Sequence, residues 1–320
     1  MGTKDSPKQR GNGMAFQLRR NESVAKGIKR IACRQIESAL EELASKSNAN
    51  EIVHEVRKRL KRLRAILRLV RETLGEKVYR RENTSFRDTA RPLTEVRDAE
   101  ALIESSDALA KHFGDDIGAE AFAAVRKALR TNLRAVRKRV LDQEGALAMV
   151  TKALECANAG VRDWSFGVKG WAGLCGGLRR VYKSGRGAMM AAGSEPTAEN
   201  MHEWRKQAKY LWHQLEILEP VWPSVMEVLA SQVHTLTQQL GDDHDLFVLH
   251  QTVTGDPETY GGEAHLETII ALIDRRQEEL RQEAFQLGRR LYQDTHGTFT
   301  DRIEGYWKAW RSEEIDSDSG

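Results

Sequence analysis

Cysteine and proline are scarce in this chain, and long apolar runs are missing from it. Three cysteines, Cys33, Cys156 and Cys175, stand in 320 residues without a C-x-x-C. An odd, scattered set encodes neither a disulfide framework nor a cysteine-based zinc site, and a reducing, cytoplasmic setting is the expectation. No run approaches the roughly 18 apolar residues of a membrane span, so no membrane partner is expected. The opening MGTKDSPKQRGNG has no apolar h-region, which argues against a secretory signal. Only 6 prolines interrupt the chain, leaving room for long helices. Also missing are a glycine-rich phosphate loop, a G-x-S-x-G elbow and a recognisable cysteine nucleophile. The chain therefore reads as a binding module, with no cofactor and no catalytic residues expected.

What is present is charge, unevenly placed. The net formal charge is +3, but residues 1–160 hold 33 Lys/Arg against 22 Asp/Glu, and residues 161–320 hold 17 against 25. The first half has the balance of a polyanion binder.

The chain also repeats itself. VHEVRKRLKRLRAILRLV at 53–70 aligns with MHEWRKQAKYLWHQLEIL at 201–218. GIKRI at 27–31 aligns with GLRRV at 177–181, and EVRDAEALI at 95–103 with DDHDLFVLH at 242–250. Three matches in one order, at offsets of 147 to 150, indicate a duplicated unit. Within each unit the period is helical: Val53, Val56, Leu60, Leu63, Leu67 and Val70 form one stripe, and Met201, Trp204, Ala208, Leu211, Leu215 and Leu218 repeat it in phase. Asn48 or Asn50 and Pro196–Thr197 read as helix starts, and Pro220 and Pro223 as breaks.

These patterns predict an all-α fold of two tandem four-helix bundles. The helices are expected over 14–47, 50–74, 86–110 and 117–157, then 162–192, 197–219, 223–252 and 262–293, with a short one near 298–311. The units are 14–158 and 159–312, flanked by a disordered 1–13 and an acidic, disordered 313–320. Arg311, beyond the second unit's bundle, reads as a plain surface residue.

Beside the apolar stripe, His54, Arg57, Lys58, Lys61, Arg64 and Arg68 share a face. From Arg57 to Arg71 there are eight Lys/Arg, Arg62 included, and no acid. Surface helices normally interleave acids, since like charges at i,i+4 repel, so a bound polyanion or an acidic partner is expected here. His202, Arg205, Lys206, Lys209 and His213 occupy the matching face. Arg126, Arg130, Arg134 and Arg137 form a further stripe; Arg30 and Arg34, and Arg179, Lys183 and Arg186, complete the basic set. Guanidinium forks and lysine ammonium groups both suit phosphate oxygens.

Glu51-x-x-His54 and Glu199-x-x-His202 also fit the Glu-x-x-His spacing of di-iron bundles. The basic residues following each His would repel a cation, and both Glu residues sit in a first turn, where the helix dipole favours acids. No metal site is therefore expected. Whether the histidines donate to phosphate or serve the fold stays open.

The pattern His-x-x-Arg-x-x-x-Lys-Arg-x-Arg at 54–64, its looser copy at 202–212, and the Arg97–Asp98 and His244–Asp245 pairs resemble the CHAD family, the conserved-histidine α-helical domain. LRRVYKSGRGAM at 178–189 is also similar to that family, and the resemblance spans roughly 15–312. It implies two four-helix bundles related by a pseudo-two-fold, a basic cavity between them, binding of inorganic polyphosphate, and association with polyphosphate granules. The motif residues it implies are His54, Arg57, Lys61, Arg62 and Arg64, then His202, Arg205 and Lys209. Tyr210 and Trp212 depart from the motif, so the second half-site is expected to hold fewer phosphates. Nucleic-acid binding by the same surface is the alternative, though the basic faces lack interleaved aromatics for base stacking. An enzyme acting on polyphosphate or a phosphorylated substrate would need a carboxylate cluster that the sequence does not assemble.

Overall fold

The computed structural model describes residues 16–114 and 122–312, and the expected disordered ends at 1–13 and 313–320 lie outside them. Among the described residues there are helices and no strands. In chain order they are α1 (Val24–Leu43), α2 (Ala49–Leu69), α3 (Glu76–Ala90), α4 (Thr94–His112), α5 (Ala123–Arg137), α6 (Ala146–Arg162), α7 (Ala172–Ser194), α8 (Ala198–Leu218), α9 (Pro223–Gly255), α10 (Glu263–Leu291) and α11 (His296–Ser312). Asn48 caps α2 by accepting from the Asn50 N–H at 3.0 Å, and Thr197 caps α8 by accepting from Asn200 at 3.2 Å; each satisfies a backbone donor that a helix start leaves unpaired.

The duplication is visible helix by helix. At an offset of roughly 148, α1 maps to α7, α2 to α8, α3 with α4 to α9, α5 to the middle of α10, and α6 to α11. The expected short terminal helix is thus the mate of α6, and each unit has one more antiparallel element than a four-helix count allows. The first unit is also more broken than its periodicity suggests. Where one helix was expected over 86–110, Arg91–Leu93 forms a tight turn between α3 and α4, because Pro92 has no N–H to give and restricts Arg91 before it. The start of α3 is hard to read because its buried stripe is Tyr79, Glu82, Phe86 and Thr89, half of it polar. The helix expected over 117–157 is interrupted by a wide turn at Lys138–Gln143 and by Gly145, whose φ of 64° lies in the left-handed region that glycine tolerates.

The sequence units are not separate packing units. One large core draws Val53, Leu60 and Leu63 from α2 together with Trp204, Leu211 and Leu215 from α8, all at most 1% exposed. A second core joins Leu102 and Leu109 of α4 and Val125 of α5 to Leu249 of α9 and Ile273 of α10. Each unit leaves apolar surface that the other covers, so the halves fold as one body. The α2 stripe was legible because both neighbours, α1 and α8, bury it.

Arg311 is not a surface residue. Its guanidinium donates to the Glu22 carbonyl at 2.8 Å and to the Arg20 carbonyl, and stacks 4.7 Å from the Trp307 ring. It pins the segment before α1 to the last helix.

The two units' backbones come very near one another at Gly177 of α7, where an added Cβ would stand 2.0 Å from the Leu69 carbonyl oxygen and 2.5 Å from that of Arg68. No side-chain rotation relieves a clash with backbone. Gly177→Ala is expected to destabilise by about 1–3 kcal/mol or more, as overpacking does, and a thermal melt with the midpoint unchanged would show that α7 can slide instead.

Candidate functional site

Helices α2 and α8 pack against each other, each carrying an arginine and a lysine one turn apart: Arg57 and Lys61, Arg205 and Lys209. Alongside, α4 supplies Arg97 and Asp98, and α9 supplies their repeat mates His244 and Asp245. Arg57 is fixed in place, its Nη1 donating to Thr94 Oγ1 at 2.7 Å and to the Ala90 carbonyl at 3.2 Å. Arg205 faces Asp245 at 3.9 Å.

Lys61 and Lys209 form the centre. Burial, and then the like charges of Lys209, Arg57, Arg205 and Arg97, hold the Lys61 ammonium well below the usual lysine range. Lys209 is brought down to about 8 by burial and by Arg205, with Asp245 opposing the shift. Among the described residues neither lysine has a hydrogen bond or an ion pair. Burial pushes the Asp98 carboxyl up, while Arg57 pulls it down and Asp245 pushes it further up. Five cations thus crowd around Asp98 and Asp245, with Arg97 also paired to Glu100 at 3.3 Å and Glu104 at 2.7 Å. Such an arrangement costs stability in the empty protein, and strongly perturbed groups of this kind mark functional sites more often than chance.

His54 and His202 sit at the rim, each with an exposed edge. Partial burial lowers both imidazoles, reinforced by Arg97 for His54 and by Arg205 for His202. The His202 ring packs 4.8 Å from that of His244, which burial and Arg205 bring down to about 4. All three are therefore neutral near pH 7, each with one N–H to donate. Among the described residues no three His, Cys, Asp or Glu side chains gather as a metal-binding group.

A pocket of about 250 Å³ opens beside this centre on the first unit, lined by Arg57, Leu60, Lys61 and Arg64 of α2, Arg87 and Ala90 of α3, then Arg91 and Thr94. Five of its eight lining residues are cationic and none is acidic. Arg87 and Arg91 share one carboxylate, Asp88, at 3.0 and 2.9 Å. Neither arginine was among the sequence candidates; the one signal available was their four-residue spacing just ahead of Pro92.

The remaining candidates are elsewhere. Lys58 pairs with Glu55 at 3.1 Å, and its mate Lys206 pairs with Glu203. Arg68 lies 3.8 Å over the Tyr210 ring and, like Arg64, donates to Asn83 Oδ1. Arg62 and His213 leave the basic face altogether: Arg62 bonds Glu216 at 2.9 Å, and His213 Nδ1 meets the same carboxylate at 2.6 Å, both buried. Arg30 binds Glu22 and the Gln17 carbonyl, and Arg34 binds Glu41 and Glu37 on its own helix. Arg126 is held by Asp107 at 2.5 Å, and Arg179 lies 3.6 Å from Asp301. Arg130 and Arg134 are exposed and Arg137 half-buried on α5, as are Lys183 and Arg186 respectively on α7. None of these is among the charges that bear most on Lys61 or Lys209.

No helix of the described residues is long and apolar enough to cross a membrane. In sequence, the CHAD domain family matches residues 30–254. No curated protein matches the chain. Among solved structures, the CHAD domain from the plant Ricinus communis superposes with a TM-score of 0.54 at 15% identity, over 92% of this chain and 95% of that one; at that identity it speaks for the fold alone.

Proposed function

The chain is a member of the CHAD domain family, and from that premise we propose that the Lys61–Lys209 centre and its arginines bind inorganic polyphosphate without turning it over. The observation that carries the reading is a pair of half-buried lysines, on repeat-related helices, with neither hydrogen bond nor ion pair and with three arginines around them. A polyanion removes the repulsion the empty protein carries. It supplies acceptors for ammonium and guanidinium donors in short, charge-assisted bonds, and releases counterions as it docks. The neutral histidines at the rim add donors without adding charge. The setting this reading proposes is the cytoplasm, at polyphosphate granules.

Competition of labelled polyphosphate against DNA and RNA, at equal phosphate concentration and fixed salt, tests it. Polyphosphate is expected to win; preference for nucleic acid would replace the reading, and phosphate release with added Mg²⁺ or Mn²⁺ would make the protein an enzyme. A pH series checks the site. Lys209 in the empty protein loses its proton near 8, and a bound polyanion favours the charged form, so binding takes up protons. Affinity should be full below about pH 7 and fall as pH rises through 8 to 9. A flat titration over that range would mean the lysines do not meet the anion.

A further inference from the structure

We infer that the bound polyanion leaves the central lysine pair on one side only, through the pocket of Arg64, Arg87 and Arg91 on the first unit; this rests on the polyphosphate reading above. The duplication supplies the comparison. At the repeat offset Arg57 and Lys61 recur as Arg205 and Lys209, and Thr94, which holds Arg57, recurs as Gly241, whose added Cβ would stand 3.5 Å from Arg205 Nε. These cations of the centre therefore repeat in sequence, although Arg57 is held by Thr94 and Arg205 faces Asp245 instead.

Beyond the centre the symmetry ends. Arg64 recurs as Trp212, Arg87 as His234, Arg91 as Gln238 and Arg68 as Glu216. Where the first unit has an open pocket with guanidinium groups on its walls, the second has Trp212 and His234 stacked ring on ring, centroids 4.0 Å apart and 20° from parallel. Burial lowers the His234 imidazole below the usual histidine range, so the stack carries no charge at neutral pH. Glu216 lies behind it, its carboxylate paired with Arg62 at 2.9 Å. Four cations on one side face a neutral stack, an amide and an already paired carboxylate on the other.

A linear condensed phosphate carries charge along its whole length. Laid across Lys61 and Lys209, with Arg57, Arg97 and Arg205 beside them, it finds a guanidinium-lined pocket toward α3. On the α8 side it meets the uncharged Trp212–His234 stack, which offers it no guanidinium group. The arrangement engages a chain end at the centre and runs the rest of the chain out over Arg64, Arg87 and Arg91. Asp88 is shared between Arg87 and Arg91 and so offsets one of their two charges. An arriving phosphate would compete with it for both guanidinium groups.

The experiment uses the full chain and a long polyphosphate of narrow length distribution, titrated at several salt concentrations. Arg87→Gln with Arg91→Gln is compared with Gln238→Ala and with Lys61→Met/Lys209→Met. Arg87 and Arg91 are exposed, so the first pair should fold, which a thermal melt checks. That pair is expected to lose several-fold in affinity and to flatten the salt slope by up to about two, roughly one for each phosphate no longer neutralised, while Gln238→Ala changes neither. Unchanged affinity in the Arg87/Arg91 variant, with weakened binding in the lysine variant, would overturn one-sided exit and leave the polyphosphate reading intact. Unchanged affinity in both would overturn the reading itself.

Discussion

Replacing Lys61 and Lys209 together by Met is expected to make the empty protein more stable and to remove most of its affinity for polyphosphate. The two lysines are half-buried, unpaired and surrounded by Arg57, Arg97 and Arg205, so their charged forms destabilise the fold. Methionine has a similar reach, no charge and a flexible thioether that fills irregular space. Replacing crowded buried charge with apolar packing is worth about 1–4 kcal/mol where it has been compared. The ligand-bound state moves the other way. A hydrogen bond to a charged group contributes about 1.5–3 kcal/mol, so removing two should weaken binding by roughly two to four orders of magnitude. Opposite signs on melt and titration distinguish a binding centre from a structural one. A lower melting midpoint would mean the lysines hold the helices together. A higher midpoint with unchanged binding would place the anion elsewhere.

Much of this centre could be read before the structure, because it lies on the most regular part of the chain. Helix α2 has an unbroken apolar stripe and an intact motif, so the positions of Arg57 and Lys61 follow from helical period alone, and the repeat carries them to Arg205 and Lys209. The basic residues of the other helices fared differently. Arg30, Arg34, Arg126 and Arg179 have acidic partners that are distant in sequence or lie on an adjacent turn, and one-dimensional charge counting does not see a partner across a helix interface. Arg62 and His213 show the converse. The motif resemblance brings in Arg62 and helical spacing brings in His213, yet α2 and α8 pack closely enough to bury both against Glu216, which belongs to the other unit from Arg62 and stands where the first unit has Arg68.

Arg87 and Arg91 were missed for a backbone reason. They straddle the tight turn at Arg91–Leu93, and their joint orientation depends on how α3 enters that turn. Periodicity over 86–110 treats the segment as one helix and so hides the turn that sets their orientation. The shared cores were hidden for a related reason: two similar amphipathic units predict that each buries an apolar face, but not that each buries part of it against its copy.

Glu216→Ala is expected to be the most damaging single change in the helix pair. The carboxylate binds Arg62 Nη2 at 2.9 Å and His213 Nδ1 at 2.6 Å, with Phe16 under the guanidinium at 4.4 Å. Removing it strands a buried guanidinium and a buried imidazole at once, which costs about 3–5 kcal/mol when one partner of a buried pair is removed. Glu216→Gln should cost less, because the amide oxygen still accepts one hydrogen bond. The network also sets an acid limit. Burial opposes ionisation of Glu216, but His213 and Arg62 outweigh it and hold its carboxyl below the usual 4.5. Burial holds the His213 imidazole below 6.5 even with Glu216 beside it. Each group binds fewer protons folded than unfolded, so stability is complete above about pH 6.5. It falls as the pH drops, first through histidine protonation in the unfolded chain and then, below 4.5, through the carboxylate. Urea unfolding at pH 7.5, 5.5 and 4 should show that decline in the parent protein. In Glu216→Ala the carboxylate's share of the decline below 4.5 should be gone. A variant as stable as the parent at pH 7.5 would mean that Arg62 and His213 find other partners and that the α2–α8 packing rests on its apolar stripes alone.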